Sequence, residues 1–137
     1  MDTSVAVPLL VASHQDRPRV AEWASGRTLS LSEHALVETY AVVARLPDDA
    51  RVATADAVVP IDDNFAERLT LSPQGVRDAL DELAGKGVAG GATYDGLVGL
   101  AAREHGAVRV TRDAQARSTY EALGVTVHVL LTGGGDR

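Results

Sequence analysis

The sequence contains no cysteine, few aromatic residues and no long apolar run. Without cysteine, disulfides and thiolate chemistry are excluded and the chain suits a reducing compartment, so we expect it in the cytoplasm. The apolar runs fall far short of the roughly 18 residues of a membrane span, and the N-terminus lacks the pattern of a signal peptide. With one Trp, three Tyr and one Phe, recognition of single strands by base stacking is expected to be limited.

Lysine is also scarce: the sequence has one lysine, Lys86, and twelve arginines. Its net charge is −6. The negative charge argues against a large polyanion footprint. A local basic rim remains open, formed by Arg103, Arg109, Arg112 and Arg117. Lys86 lies in a glycine-rich loop and not after a late strand, which argues against a phosphorelay receiver. Phosphate-loop, zinc and Gly-x-Ser-x-Gly patterns are missing as well.

The chain has the length of a single domain, 1–137, in which 133–137 is expected to be a flexible tail. Apolar periodicity, caps and glycine stops predict helices that alternate with short strands. The predicted helices cover 5–12, 18–25, 33–46, 53–69, 74–84, 93–105 and 114–123, and the predicted strands cover 28–31, 70–71, 108–110 and 125–131. This alternation favours an α/β fold with a mostly parallel sheet.

The pattern of residues 90–116 predicts a helix, a turn and a strand, and an acidic residue follows just beyond the strand. Gly106 ends the helix, as glycine often does, and Asp113 then follows the strand, where an α/β sheet presents its ligand-binding loops. Asp95 lies in the first turn of the helix. Two carboxylates in these positions can converge on one cation.

Two further acids extend this set. Glu38 lies in an otherwise apolar helical run, where an unpaired buried charge is costly, and Asp2 precedes the first helix. Each acid also has an ordinary interpretation. Glu38 can be exposed or pair with Arg45, Asp2 and Asp113 can cap helices, and Asp95 can complement a helix dipole. Their combination at helix starts and strand ends favours a shared cation site.

The motifs that carry these acids resemble those of PIN-domain ribonucleases, most closely the toxins of bacterial VapBC toxin–antitoxin pairs. The resemblance covers nearly the whole chain. It rests on Asp2-Thr3-Ser4, on Glu38 in SEHALVETYAVVARLP, on Asp95 in GGATYDGLVGLAA, and on Thr111-Arg112-Asp113. It implies a three-layer α/β/α PIN-like domain with a short, mostly parallel sheet.

The resemblance also implies a function and a site. Asp2, Glu38, Asp95 and Asp113 would hold Mg²⁺, or Mn²⁺, which prefer oxygen ligands. The cation would activate a water for attack on an RNA phosphodiester. Thr111 would support the site and Arg112 would contact the substrate. The chain would be an endoribonuclease toxin, a homodimer held inactive by a VapB-type antitoxin. The alternatives are an RNA-processing PIN nuclease without antitoxin and an inactive PIN-fold binding module.

The start of the chain departs from the pattern of this family. An apolar strand leads into the first Asp in the family, whereas here only Met1 precedes Asp2. Either the first strand is curtailed or the chain begins upstream of Met1, and our hypothesis is the second.

Overall fold

The computed structural model describes residues 1–46, 53–65 and 67–130. Its helices and strands alternate as follows: α1 Thr3–Leu10, α2 Arg17–Ala24, β1 Ser30–Ser32, α3 Glu33–Val43, α4 Val58–Asn64, β2 Glu67–Leu69, α5 Pro73–Gly85, α6 Ala92–Glu104, β3 Arg109–Thr111, a 3₁₀ turn Ala114–Ala116, α7 Arg117–Ala122 and β4 Val127–Val129. None of the helices in these ranges is long and apolar enough to cross a membrane.

The four described strands form two parallel pairs, which confirms the predicted parallel pairing. Strand β1 pairs with β2, in a register that sets Leu31 beside Arg68. Strand β3 pairs with β4, in a register that sets Val110 beside His128. In each pair helices connect the two strands, as parallel strands require.

The first two residues bridge the two strand pairs. The Met1 amino group donates to the Ser30 carbonyl of β1 at 3.0 Å, and the Asp2 amide donates to the Val110 carbonyl of β3 at 3.1 Å. Burial, followed by the positive charge of Arg109, lowers the pKa of the Met1 amino group to about 5. These bonds fix the start of α1, and with it Asp2, between β1 and β3.

The predicted helix 53–69 is wrong at both ends, and α4 begins only at Val58. Helix α4 ends at Asn64, and Glu67–Leu69 forms strand β2, so the strand predicted at 70–71 lies slightly earlier. Pairing with β1 overrides the local helical pattern, because strand propensity depends on neighbours distant in sequence. Of the last predicted strand, 125–131, the described part forms a strand only at Val127–Val129, and residue 131 and the predicted tail 133–137 fall outside the described residues.

Helix α6 lies at the centre of the core and contributes to both hydrophobic clusters. Its Val98 belongs to the cluster formed with Met1, Val5, Ala6, Val20, Leu31, Ala35, Ile61, Phe65 and Val110. Its Leu100 belongs to the cluster formed with Ala79, Leu83, Ala116, Tyr120, Leu123 and Val125.

Two glycines allow neighbouring side chains to approach α6 closely. A Cβ on Gly96 would lie 2.4 Å from the Leu83 side chain, and one on Gly99 would lie 2.8 Å from the Tyr120 ring. Since real Cβ atoms do not approach so closely, larger residues would force the Leu83 side chain of α5 and the Tyr120 ring of α7 to shift. The packing therefore fixes the helix that carries Asp95.

Candidate active site

The four predicted acids gather where β1 and β3 end and α1 and α6 begin. Asp2 immediately precedes α1, Asp95 lies in the first turn of α6, Asp113 follows β3 and Glu38 lies on α3. Burial raises the pKa of Asp95; the charge of Arg109 opposes this, and the charges of Asp2, Asp113 and Glu38 raise the pKa further. Asp95 thus lies within electrostatic reach of the other three carboxylates.

Both carboxylate oxygens of Asp2 are held. Its Oδ2 lies 2.8 Å from Nη2 of Arg109, and its Oδ1 accepts a hydrogen bond from the Ser4 hydroxyl. Asp2 occupies the N-cap position of α1, but its side chain makes no capping hydrogen bond. The capping interpretation of Asp2 is therefore wrong for its side chain, which is directed to the site.

Thr111 ties the end of β3 to the start of α1. The Thr111 side chain is fully buried, and its Oγ1 accepts from the Asp113 amide at 3.0 Å and lies 3.5 Å from Ser4 Oγ. The Ser4 hydroxyl in turn accepts from the Arg112 amide at 2.9 Å. These hydroxyls position the loop of Asp113, which agrees with a supporting role for Thr111. A catalytic role for it stays a prediction.

Glu38 and Asp113 are less constrained. The Glu38 side chain is 54% exposed and its Oε2 lies 3.9 Å from Nε2 of His34, one turn earlier on α3. Asp113 is exposed, and its Oδ1 accepts from the Gln115 amide at 2.9 Å, so it caps the 3₁₀ turn. The ordinary interpretations, exposure for Glu38 and capping for Asp113, therefore hold alongside the predicted site.

Arg112 has internal partners. Its Nη1 donates to the Ser4 carbonyl at 3.0 Å, and its Nη2 pairs with the Asp16 carboxylate just before α2. The Arg112 guanidinium thereby links the start of α1 and the end of β3 to the loop before α2. Contact with a substrate stays a prediction for Arg112.

Arg109 is a site residue that the sequence indicates only as part of a basic rim. Its side chain is 1% exposed, and its Nη2 also donates to the Tyr120 hydroxyl at 2.9 Å, with the guanidinium carbon 5.0 Å from the centre of that ring. The signal that could have found it is strand alternation: in β3, Arg109 and Thr111 share one face. A buried arginine on that face supplies a counter-charge to the acids.

Burial beside Arg109 keeps Tyr120 neutral. Burial is the largest cause that raises the pKa of Tyr120 to about 12, against the opposing influence of Arg109. The phenol therefore remains a hydrogen-bonding group at neutral pH. Within the described ranges, Nε and Nη1 of Arg109 are buried without a hydrogen-bond partner, so its charge is only partly compensated by direct contacts.

The donor chemistry of the site fits a hard divalent cation. All four side chains offer carboxylate oxygens, which Mg²⁺ and Mn²⁺ prefer, and one buried arginine does not balance four negative charges. Among residues 1–46, 53–65 and 67–130, however, no three His, Cys, Asp or Glu side chains are close enough together to hold a metal ion. The site has the right ligand types in an open arrangement.

Comparison with known proteins identifies close sequence relatives. The model of the PIN domain family matches residues 1–122. The chain is similar to Ribonuclease VapC27 of Mycobacterium tuberculosis, with 47% identity over 129 residues that cover 94% of each protein. It is also similar to Ribonuclease VapC40 of the same species, with 40% identity over 130 residues that cover 94% of this chain and 96% of the relative.

Two solved structures share the fold. One is a chain of FitAB bound to an IR36 DNA fragment, with a TM-score of 0.70, 23% identity, and coverage of 98% of this chain and 97% of that one. The other is M. tuberculosis VapC20, a toxin that cleaves the sarcin-ricin loop, with a TM-score of 0.63, 18% identity, and coverage of 91% and 94%. These likenesses confirm the predicted α/β/α architecture.

Proposed function

This chain belongs to the PIN-domain family, within it to the VapC group, and from that membership we propose that it is an endoribonuclease, the toxin of a toxin–antitoxin pair. One structural observation carries the proposal. Burial, and after it the charges of Asp2, Asp113 and Glu38, raises the pKa of the Asp95 carboxyl against the opposing charge of Arg109. Mutually repelling carboxylates in one place destabilise a fold unless they serve a ligand, so perturbed acids mark functional sites.

We propose Mg²⁺ or Mn²⁺ as the cofactor, with Asp2, Glu38, Asp95 and Asp113 as the residues that would hold it. A divalent cation there would acidify a water molecule and neutralise charge on the phosphate. Asp2 is pinned by Arg109 and Ser4 before any ligand arrives. The exposed side chains of Glu38 and Asp113 would turn towards the cation or its waters.

The partners follow from the same membership. FitAB is a complex and VapC20 cleaves the sarcin-ricin loop, which supports an RNA substrate and a VapB-type antitoxin for this chain. We also propose a cytoplasmic homodimer. An RNA-processing nuclease without antitoxin is not favoured by any feature of the described residues. An inactive PIN-fold binding module is the second candidate, because the described acids do not form a closed ligand set.

Cleavage of total bacterial RNA by the purified protein tests the proposal. We expect discrete cuts with Mg²⁺ or Mn²⁺ that disappear with EDTA and with Asp95→Asn. The matched control is Asp81→Asn, which removes the same charge from an exposed position on α5, and it should cut as the wild type does. Absence of cleavage by folded protein that binds Mn²⁺ would favour the binding module. Cleavage that survives Asp95→Asn would contradict the site.

A further inference from the structure

Two aromatic rings lie stacked beside the acidic site. His34 of α3 and Tyr94 of α6 have ring centroids 5.0 Å apart and planes inclined by only 7°. Tyr94 immediately precedes Asp95 in the chain, and His34 lies one helical turn before Glu38, with 3.9 Å between His34 Nε2 and Glu38 Oε2. The stack therefore lies next to two of the four acids.

The Tyr94 ring is not a core residue. It is 56% exposed, whereas the opposite face of α6, which includes Gly96 and Gly99, is buried. A single exposed aromatic residue is ordinary on a protein surface. What distinguishes Tyr94 is its support, since the packing of α3 against α6 holds His34 behind it. The result is an open ring, backed on one side and adjacent to the carboxylates.

We propose that Tyr94, backed by His34, stacks an unpaired RNA base next to the phosphate that is cut. The inference rests on the proposed ribonuclease function and names the feature of RNA that this function recognises. Unpaired bases stack on Tyr and His side chains, and such stacking is tolerant of sequence. Because His34, which stacks on Tyr94, has its Nε2 only 3.9 Å from Glu38 Oε2, a base on Tyr94 would bring its own backbone to the acids.

A second aromatic site is less suited to this role. Trp23, with the Arg27 guanidinium carbon 5.2 Å from its ring centre, lines a cavity of about 580 Å³. That cavity also contains Leu29 and Val108, at the amino ends of β1 and β3, whereas the acids lie at the carboxyl ends. The small number of aromatic residues in the sequence predicts limited base stacking. For the stacking of one base, however, the position of Tyr94 beside the acids matters more than the number of aromatic residues.

Cleavage and binding of a 12-nucleotide single-stranded RNA test whether Tyr94 stacks a base. Tyr94→Leu should raise KM by about ten- to a hundredfold, the scale of one base–aromatic stack, and leave kcat within about threefold. Tyr94→Phe keeps the ring and should behave as the wild type. The control is Val108→Ala, which truncates an exposed apolar side chain at the opposite end of the strands and should change neither constant.

A series of the same RNA with one base removed at a time adds a sharper readout. One abasic position should weaken wild-type binding as much as Tyr94→Leu does, and at that position Tyr94→Leu should cause no further loss. A merely structural role for Tyr94 would weaken every RNA in the series equally and would overturn the proposal.

Three other results would also overturn it. If the wild type cleaves the RNA and Tyr94→Leu has the same KM, the stacking subsite is wrong while the ribonuclease function stands. The subsite is equally wrong if Tyr94→Leu weakens only the binding of the antitoxin, since the ring would then serve a protein partner. If the wild type neither binds nor cleaves RNA, the proposed function fails and the subsite fails with it.

Discussion

The two halves of the acidic site differ in how firmly the fold holds them. Asp2 has both carboxylate oxygens bonded, and its side chain is 13% exposed. Asp95 is half-buried on the helix that occupies the centre of the core. Glu38 is 54% exposed and has only a loose contact with His34, and Asp113 lies on an exposed turn. The fold therefore holds Asp2 and Asp95, the organised half of the proposed site, more firmly than it holds Glu38 and Asp113, the open half.

The difference has a physical origin in where each acid lies. Asp2 and Asp95 lie at helix N-termini, where the helix dipole favours negative charge, and the buried Arg109 adds a full positive charge beside them. Glu38 lies in the middle of α3, where neither effect operates. The organised half is thus stabilised by the fold itself, and under the proposed function the open half would complete the site when a cation binds.

The largest expected change in stability comes from a substitution that disrupts the organised half of the site. Arg109→Met leaves Asp2 beside other carboxylates without its partner, and removal of one member of a buried pair costs about 3–5 kcal/mol. Urea unfolding with EDTA should show this loss of stability. Adding Asp2→Asn to Arg109→Met should recover part of it, because the uncompensated charge is gone. Strictly additive losses in the double variant would contradict the role of Arg109 as counter-charge.

The next effect tests the hydroxyl that links α1 to β3. Ser4→Ala removes the donor to Asp2 and the acceptor of the Arg112 amide, which should cost about 1–2 kcal/mol in the free energy of unfolding. The control is Ser118→Ala, whose exposed hydroxyl makes one long bond of 3.4 Å to the Gln115 carbonyl and should cost less than about 0.5 kcal/mol. Equal losses in the two variants would remove Ser4 from the organised half.

The helix caps, the acids, strand β2 and Arg109 show what can and cannot be predicted from the sequence. Helix starts at Ser32 and Ser72 are predictable because caps are local: each hydroxyl accepts an amide three residues on. The acids are recognisable because their motifs are short and ordered along the chain. Strand β2 is misplaced by local patterns because its partner β1 is distant in sequence. Arg109 escapes prediction as a site residue because its partners, Asp2 and Tyr120, meet only when the chain folds.

The third expected effect is a gain in stability, whereas the first two are losses. The pKa of Asp95 is raised above 3.8 in the folded protein, by burial first and by its acidic neighbours, so the folded state binds this proton more tightly than the unfolded state. The stability contributed by the group is full below that value and is lost as the pH rises through the raised pKa. At neutral pH the Asp95 carboxylate therefore destabilises the metal-free protein.

Asp95→Asn should consequently raise Tm at pH 7 in EDTA, although we expect it to abolish cleavage. The gain should shrink as the pH falls towards 4, where the wild-type carboxyl regains its proton. Asp81→Asn, exposed on α5, should show no such gain. A lower Tm for Asp95→Asn at neutral pH would mean that the carboxylate makes favourable contacts that outweigh the repulsion, and Asp95 would then belong to the structural framework.

The smallest effect on stability belongs to the open half. Glu38→Gln changes an exposed side chain whose contact with His34 is 3.9 Å long, so the free energy of unfolding in EDTA should stay within about 0.5 kcal/mol of the wild type. Cleavage should nevertheless fall, because a carboxylate that moves to the cation contributes only once the cation is bound. The stabilisation by Mn²⁺, measured as the rise in Tm on its addition, should therefore be smaller for Glu38→Gln. An unchanged rise in Tm together with unchanged cleavage would place Glu38 outside the site and leave Asp2, Asp95 and Asp113 as its acids.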